Sequence, residues 1–322
     1  MGALGPQLVY VSDSEPGIIR KKHGRGFRYV HPDGTTIARG KERRRLEALG
    51  VPPAYEDVWM CPKPNGHLQA TGRDAAKRKQ YRYHVDWTKW RAETKFRDLP
   101  DFADALPTLR RAVARDLKAP TGSEAFCLAA AATMIDRLAL RVGDEGYTRQ
   151  NGSYGALTLR NRHMRSGRDG FMLRYTAKGG KRVRKQIGEV RLQKVLSKVS
   201  DLPGATLLSW TDEDGQTRGL TSQALNAYLA DMSGDAHVTA KTFRTWAGTV
   251  AAFEVAETGG ATIKDMSTAA SERLHNTPTI ARTSYIHPAV IDLAGQGPLG
   301  IQTQQKSGLF ASETRLLSFL RR

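Results

Sequence analysis

From Leu8 to about His84 the apolar residues come in short runs split by turn formers, whereas beyond Pro107 they recur every four residues. Alternation with frequent turns is the pattern of strands, and a four-residue recurrence is that of helices packing one face. The chain therefore reads as two domains, a β-rich one over residues 1–90 and a larger, mainly helical one over 91–322. In the first, Leu8-Val9-Tyr10-Val11 and Phe27-Arg28-Tyr29-Val30 are strand candidates, each followed by turn residues. Asp57-Val58-Trp59-Met60-Cys61 is a third, ended by Pro62, Pro64, Asn65 and Gly66. Lys41 to Leu49 reads as a short helix with a basic face, stopped by Gly50 and Pro52.

In the second domain Ser123-Glu124 can begin a helix through Phe126, Ala130, Met134 and Leu138, with Gly143 past its end. That places Arg141 at the helix C-terminus, where a cation is favourable in any case. Residues 156–187 interrupt the helices. Leu157-Thr158-Leu159, Phe171 to Tyr175 and Val183 to Ile187 alternate and suggest a three-stranded antiparallel meander, with Lys178 at a Lys178-Gly179-Gly180 hairpin tip. Further helices are expected around 221–232, 240–257 and 311–322, the last amphipathic from Leu309 on. The fold class is α+β: a small β-rich N-terminal domain plus a helical domain containing a three-stranded meander.

The 322 residues carry 50 Lys and Arg against 32 Asp and Glu, a net charge of +18, which points to a polyanionic partner and first to nucleic acid. Residues 1–100 hold 20 of the basic and 11 of the acidic side chains, the denser excess. Cys61 and Cys127 form neither a disulfide framework nor a zinc pattern, which fits a reducing cytoplasm. No stretch of 18 apolar residues suggests a membrane span. There is no Walker loop and no carboxylate cluster spaced for two metals, so no metal site and no cofactor is expected.

Gln69 to His84 mixes cations, amides and aromatics. Arg73 and its neighbouring cations can neutralise phosphates, while Gln80, Tyr81 and Tyr83 could reach sugar or base edges. On a strand Tyr81 and Tyr83 would share a face; a solvated charge run with two core tyrosines is the alternative. In the helical domain, Arg244 falls in the first turns of a helix and Asn276 precedes Thr277-Pro278, where its ordinary role would be an N-cap. Tyr285 ends a short helical run before Pro288. A phenol with a pKa of about 10 is a poor nucleophile unless cations surround the phosphate it attacks.

From Arg141 onward the chain closely resembles the type IB DNA topoisomerases of the poxvirus and bacterial kind. The resemblance rests on Leu140-Arg141-Val142-Gly143 with Tyr147, the hairpin Lys178, Lys241-Thr242-Phe243-Arg244-Thr245-Trp246, and Asn276 through Pro288. It extends back through Val51 to Trp59 and Gly66 to Asp74. It implies that Tyr285 attacks a DNA phosphate to give a 3′-phosphotyrosyl bond and a free 5′ hydroxyl, and that Arg141, Lys178, Arg244 and Asn276 are the other catalytic residues. The arginines would hold the nonbridging oxygens and Lys178 would protonate the leaving 5′ oxygen. Part of the family carries histidine where this chain has Asn276, which cannot act as a base; water is then the expected proton acceptor.

The resemblance further implies relaxation of supercoils without ATP or an obligatory metal, by a monomer that clamps double-stranded DNA. Arg73, Gln80, Tyr81, Tyr83, Tyr147 and Lys241 are the expected DNA contacts. The expected location is the cytoplasm, on the nucleoid of a bacterium, or the virion if the protein is viral. A tyrosine recombinase shares the nucleophile, but usually has histidine where Lys241 stands, and its N-terminal domain is helical. A basic DNA-binding protein without catalysis is the reading of another class, opposed by the complete set of five residues.

Overall fold

The computed structural model describes residues 7–168 and 170–322, and the chain divides into two compact units, Met1–Lys95 and Phe96–Arg322. The first unit is a five-stranded antiparallel sheet. Its strands are β1 (Ile18–His23), β2 (Gly26–Val30), β3 (Glu56–Met60), β4 (Leu68–Arg73) and β5 (Lys79–Tyr83), in the order β2-β1-β3-β4-β5. Helix α1 (Lys41–Ala48) covers it with Leu46, which packs with Ile18, Tyr29, Val58 and Met60. Helix α2 (Val85–Arg97) follows, and the boundary between the units falls within it.

Leu8 to Val11 is not a strand. Val9 makes a single bridge to Gly66, and the Val11 amide turns instead to the His67 Nδ1, which ends the ladder. Conversely, β5 carries Tyr81 and Tyr83 on one face, both nearly half exposed, with rings stacked 6.1 Å apart. They are surface residues rather than core.

The second unit is helical around one large core. Helices α3 (Leu99–Asp116) and α4 (Glu124–Leu138) open it. Helical structure begins well before Pro107, which lies inside α3; Leu99, Phe102, Leu106 and Leu109 are buried along that helix. At about 1.5–3 kcal/mol each, their burial outweighs the roughly 3 kcal/mol that an interior proline costs. Ser123 caps α4, accepting the Phe126 amide at 3.3 Å, and Phe126, Ala130, Met134 and Leu138 are all buried as their spacing requires.

After α5 (Glu145–Asn151) comes the meander β6 (Met164–Gly167), β7 (Gly170–Ala177) and β8 (Lys181–Ile187). Its first strand is not Leu157 to Leu159. Those two leucines are both buried, and the Thr158 and Leu159 amides close a turn onto the Gly155 carbonyl, so no alternating face exists there. Next follow α6 (Val190–Ser200), the short pair β9 (Ser209–Thr211) and β10 (Thr217–Gly219), and α7 (Ser222–Ser233). The chain ends with α8 (Ala240–Ala256), α9 (Ile263–Leu274), α10 (Pro278–Tyr285), α11 (Pro288–Ile291) and α12 (Ala311–Leu320). Among the described residues no helix is long and apolar enough to cross a membrane.

Candidate active site

Helix α4 stops at Leu138 because Ala139 turns into the left-handed region at φ 52°, four residues before Gly143. Arg141 is therefore not on the helix but in the extended segment after it. The Arg141 and Val142 carbonyls accept the Ala156 and Leu157 amides at 2.7 and 2.8 Å, which fixes the backbone under the guanidinium. Gly143 serves a close approach: at φ 89° it lies against Gly155, and a Cβ on it would meet the Thr158 Oγ1 at 2.7 Å. The half-buried Arg141 reaches the His275 carbonyl at 3.4 Å.

Arg244 lies in the second turn of α8 and is only 4 % exposed. Its two terminal nitrogens donate to the Ala139 carbonyl and, at 3.0 Å, to the Leu274 carbonyl. Both acceptors sit at helix C-termini, the negative ends of α4 and α9, so the cation gathers these two ends onto α8. Burial, with Arg141 nearby, pulls its pKa down to about 10, and it stays charged at neutral pH. The guanidinium carbon lies 5.3 Å from the centre of the Tyr285 ring, while its Nε has no partner.

Between α9 and α10 the chain turns on His275, at φ 50°, and the N-cap of α10 is Thr277, which accepts the Ile280 amide at 3.4 Å. Asn276 is thus not the cap its position suggests. It is 3 % exposed, and neither Nδ2 nor Oδ1 has a partner in the structure. Its main chain is tied at both ends, the amide to the Ser271 carbonyl at 3.1 Å and the carbonyl to the Lys181 ammonium. A buried amide held rigidly and left unpaired costs about 1–3 kcal/mol per group, which marks a site shaped for something else.

Tyr285 is the last residue of α10 and half-buried. Thr249 of α8 holds its backbone: the hydroxyl donates to the Tyr285 carbonyl and accepts the His287 amide, both at 3.2 Å. Gly248 makes this approach possible, since a Cβ there would stand 2.8 Å from the Tyr285 carbonyl oxygen. Lys178 is exposed at the β7–β8 tip, where Gly179 and Gly180 take φ 80° and 74°, and its ammonium lies 5.6 Å from the Tyr147 ring centre. Asp144 caps the helix bearing Tyr147 by accepting the Tyr147 amide at 2.7 Å.

No motif of the sequence marks Lys181 or Lys185, yet both reach this centre. They occupy β8 positions that alternate with the buried Val183 and Ile187, and lysines on an apolar face are a signal legible in the sequence. Lys185 donates to the Leu138 carbonyl at 3.3 Å; burial, with Arg273 and Arg244 nearby, pulls it down to about 8. Burial and the surrounding cations hold His275 down to about 4, so it is neutral at pH 7. Burial pushes Tyr175 up to about 12 against the pull of Arg244 and Arg141. The result is a convergence of cations around a neutral amide and a phenol, which suits a phosphodiester in displacement.

The remaining expected contacts are more dispersed. Lys241 is exposed at the start of α8. In the first unit, Arg73 donates to the Lys77 carbonyl at 3.0 Å and lies 3.5 Å from Asp57, and Gln80 donates to Asp74 at 3.0 Å. Tyr81 and Tyr83 offer their stacked rings to solvent.

Residues 26–74 match the N-terminal domain of bacterial DNA topoisomerase IB, and residues 79–277 match the catalytic core of eukaryotic DNA topoisomerase I. The chain is also 29 % identical over 298 residues to the DNA topoisomerase 1B of Acanthamoeba polyphaga mimivirus, covering 88 % of each protein.

Proposed function

The chain belongs to the type IB DNA topoisomerase family, and from that premise we propose that Tyr285 is its nucleophile, served by Arg141, Lys178, Arg244 and Asn276. The enzyme binds duplex DNA and relaxes supercoils by cutting one strand, letting it rotate and resealing it. In the proposed step the Tyr285 oxygen attacks the phosphorus, the P–O5′ bond breaks, and Lys178 gives the 5′ oxygen its proton. Arg141 and Arg244 hold the two nonbridging oxygens, and the Asn276 Nδ2 donates to one of them. The tyrosine's own proton passes to water, because the neutral Asn276 amide cannot take it.

The observation that supports this most is the unpartnered set: the Asn276 amide and the Arg244 Nε are buried and unpaired, with the Tyr285 ring against the same guanidinium. A bound phosphate would satisfy what the free protein leaves open. The phosphotyrosine keeps the bond energy, so resealing needs no ATP, and the chemistry is assigned to protein groups without a required divalent cation. We further propose that the protein acts as a monomer clamping the duplex, with Arg73, Gln80, Tyr81, Tyr83, Tyr147 and Lys241 on DNA. Its location would be the cytoplasm, on a bacterial nucleoid, or a virion.

The test is supercoiled plasmid in EDTA without ATP. Wild type should relax it and Tyr285→Phe should not. Relaxation by the Phe variant, or a dependence on ATP, would overturn the assignment.

A further inference from the structure

The tip between β7 and β8 consists of Lys178, Gly179 and Gly180, and the ladder pair Ala177 and Lys181 closes it. Its two rails are held differently. Ala177 is buried, so packing anchors the β7 rail, and the Gly180 amide returns to the Ala177 carbonyl at 3.1 Å. Lys181, opposite it, is exposed, and its ammonium reaches 95 residues along the chain to donate to the Asn276 carbonyl. Among the described residues that carbonyl is its one hydrogen-bond partner, and no carboxylate pairs with it.

A flexible lysine held in one geometry loses rotamer freedom, which a charge-assisted bond to a carbonyl offsets. The two ends of this bond are unequally fixed. The turn carrying Asn276 is already held by the Asn276 amide on the Ser271 carbonyl at 3.1 Å and by Arg141 on the His275 carbonyl at 3.4 Å. The tip is looser: a Cβ on Gly179 or Gly180 would meet nothing within 4 Å, and Lys178 is exposed, its ammonium 5.6 Å from the Tyr147 ring centre. The bond therefore acts on the hairpin more than on the turn. Four residues along β8, Lys185 donates to the Leu138 carbonyl at 3.3 Å, so the strand is tied at two points to the segments next to Asn276 and Arg141.

We propose that Lys181 is a positioning residue for the cleavage step: by binding the Asn276 carbonyl it docks the hairpin on the turn between α9 and α10, and so sets where Lys178 delivers its proton. This rests on the reading that Lys178 protonates the departing 5′ oxygen. Proton transfer needs the heavy atoms at hydrogen-bond distance, and a displacement of about 1 Å costs about 10²-fold. Lys178 has two glycines after it, which leave the tip backbone free to swing unless a neighbour fixes it. Lys181 touches neither the phosphate nor the leaving group, because its ammonium is taken up by the protein.

The experiment measures single-turnover cleavage of two short duplexes that differ in one atom, oxygen or sulfur at the bridging 5′ position of the scissile phosphate. An alkoxide must be protonated to leave, whereas a thiol ionises at about pH 8.5 and departs without a general acid. Lys181→Ala should cleave the oxygen duplex about 10–100-fold more slowly than wild type, and the sulfur duplex at close to the wild-type rate. Lys181→Arg, which can still donate to the carbonyl, should recover most of the oxygen rate. Lys178→Ala should be restored by sulfur in the same way. A thermal melt reports whether Lys181→Ala folds, and Lys181→Met, which keeps the apolar stem, serves if it does not. Equal slowing on both duplexes would overturn the proposal, since Lys181 would then act on the phosphate or on the fold at large. A wild-type rate on the oxygen duplex would overturn it too. Sulfur restoring Lys178→Ala but not Lys181→Ala would sink the Lys181 role alone. Failure of sulfur to restore Lys178→Ala would instead remove the general-acid assignment, and the proposal with it.

Discussion

Replacing Asn276 with leucine should make the free enzyme more stable and a far worse catalyst. The side chain is 3 % exposed and both of its polar atoms lack partners. Leucine branches at the same carbon and has as many heavy atoms, so Asn276→Leu removes two unpaired groups at about 1–3 kcal/mol each. The greater bulk of two methyls returns about 1–3 kcal/mol of that. A net gain of about 1–3 kcal/mol should remain, raising Tm by about 2–4 °C per kcal/mol in a unit the size of Phe96–Arg322. The backbone bonds to Ser271 and Lys181 do not involve the side chain and should persist. Losing one donor to the developing charge should slow single-turnover cleavage about 10²–10³-fold. Thermal melts and cleavage of a short duplex measure the two effects on one preparation. A less stable variant would mean that the amide is satisfied in the free enzyme. A more stable variant that cleaves at the wild-type rate would mean that the amide takes no part in the reaction.

Gly248→Ala should reduce cleavage about tenfold or more despite alanine's better helix propensity, because its Cβ meets both Leu274 and the Tyr285 backbone; single-turnover rates would show it, and a rate at or above wild type would argue against the close packing. Glu313→Gln should destabilise the protein by about 2–3 kcal/mol in urea unfolding, since the buried carboxylate accepts from Arg110, Trp246 and the Phe310 amide, and Arg110 would be left with Asp136 and the Gly308 carbonyl. His275 takes up its proton near pH 6.5 in the unfolded chain but only at about 4 in the fold. The unfolded state therefore binds more protons in that window, stability should fall as pH drops from about 6.5 to 4, and His275→Gln should flatten this part of the curve.

The proposed catalytic set is legible as an ordered series of residue types, because a charged or amide side chain keeps its chemistry whatever backbone carries it. Its supports were less so. Arg141 was expected on a helix because Gly143 looked like the terminator, but the turn came at Ala139, where the Ala139 carbonyl meets Arg244 from a helix 105 residues on. Thr277 rather than Asn276 caps α10, a choice between adjacent residues that local propensity does not decide. Gly248 is a lone glycine inside a helical pattern, a visible hint of close packing whose partner, Tyr285, only the tertiary fold supplies. Leu157 and Leu159 show the converse error: two apolar residues two apart imitate a strand when both are simply buried in a turn. The terminal helix was readable as amphipathic, but not that its Glu313 would be pinned beneath Trp246, two residues from Arg244.

The most direct measurement is the chemistry of the covalent adduct. Enzyme trapped on a nicked duplex is digested with protease and nuclease, and the modified peptide is sequenced by mass spectrometry. A nucleotide joined through its 3′ phosphate to Tyr285, with a free 5′ hydroxyl on the other strand end, is the predicted result. An adduct on another residue, or one joined through a 5′ phosphate, would contradict it.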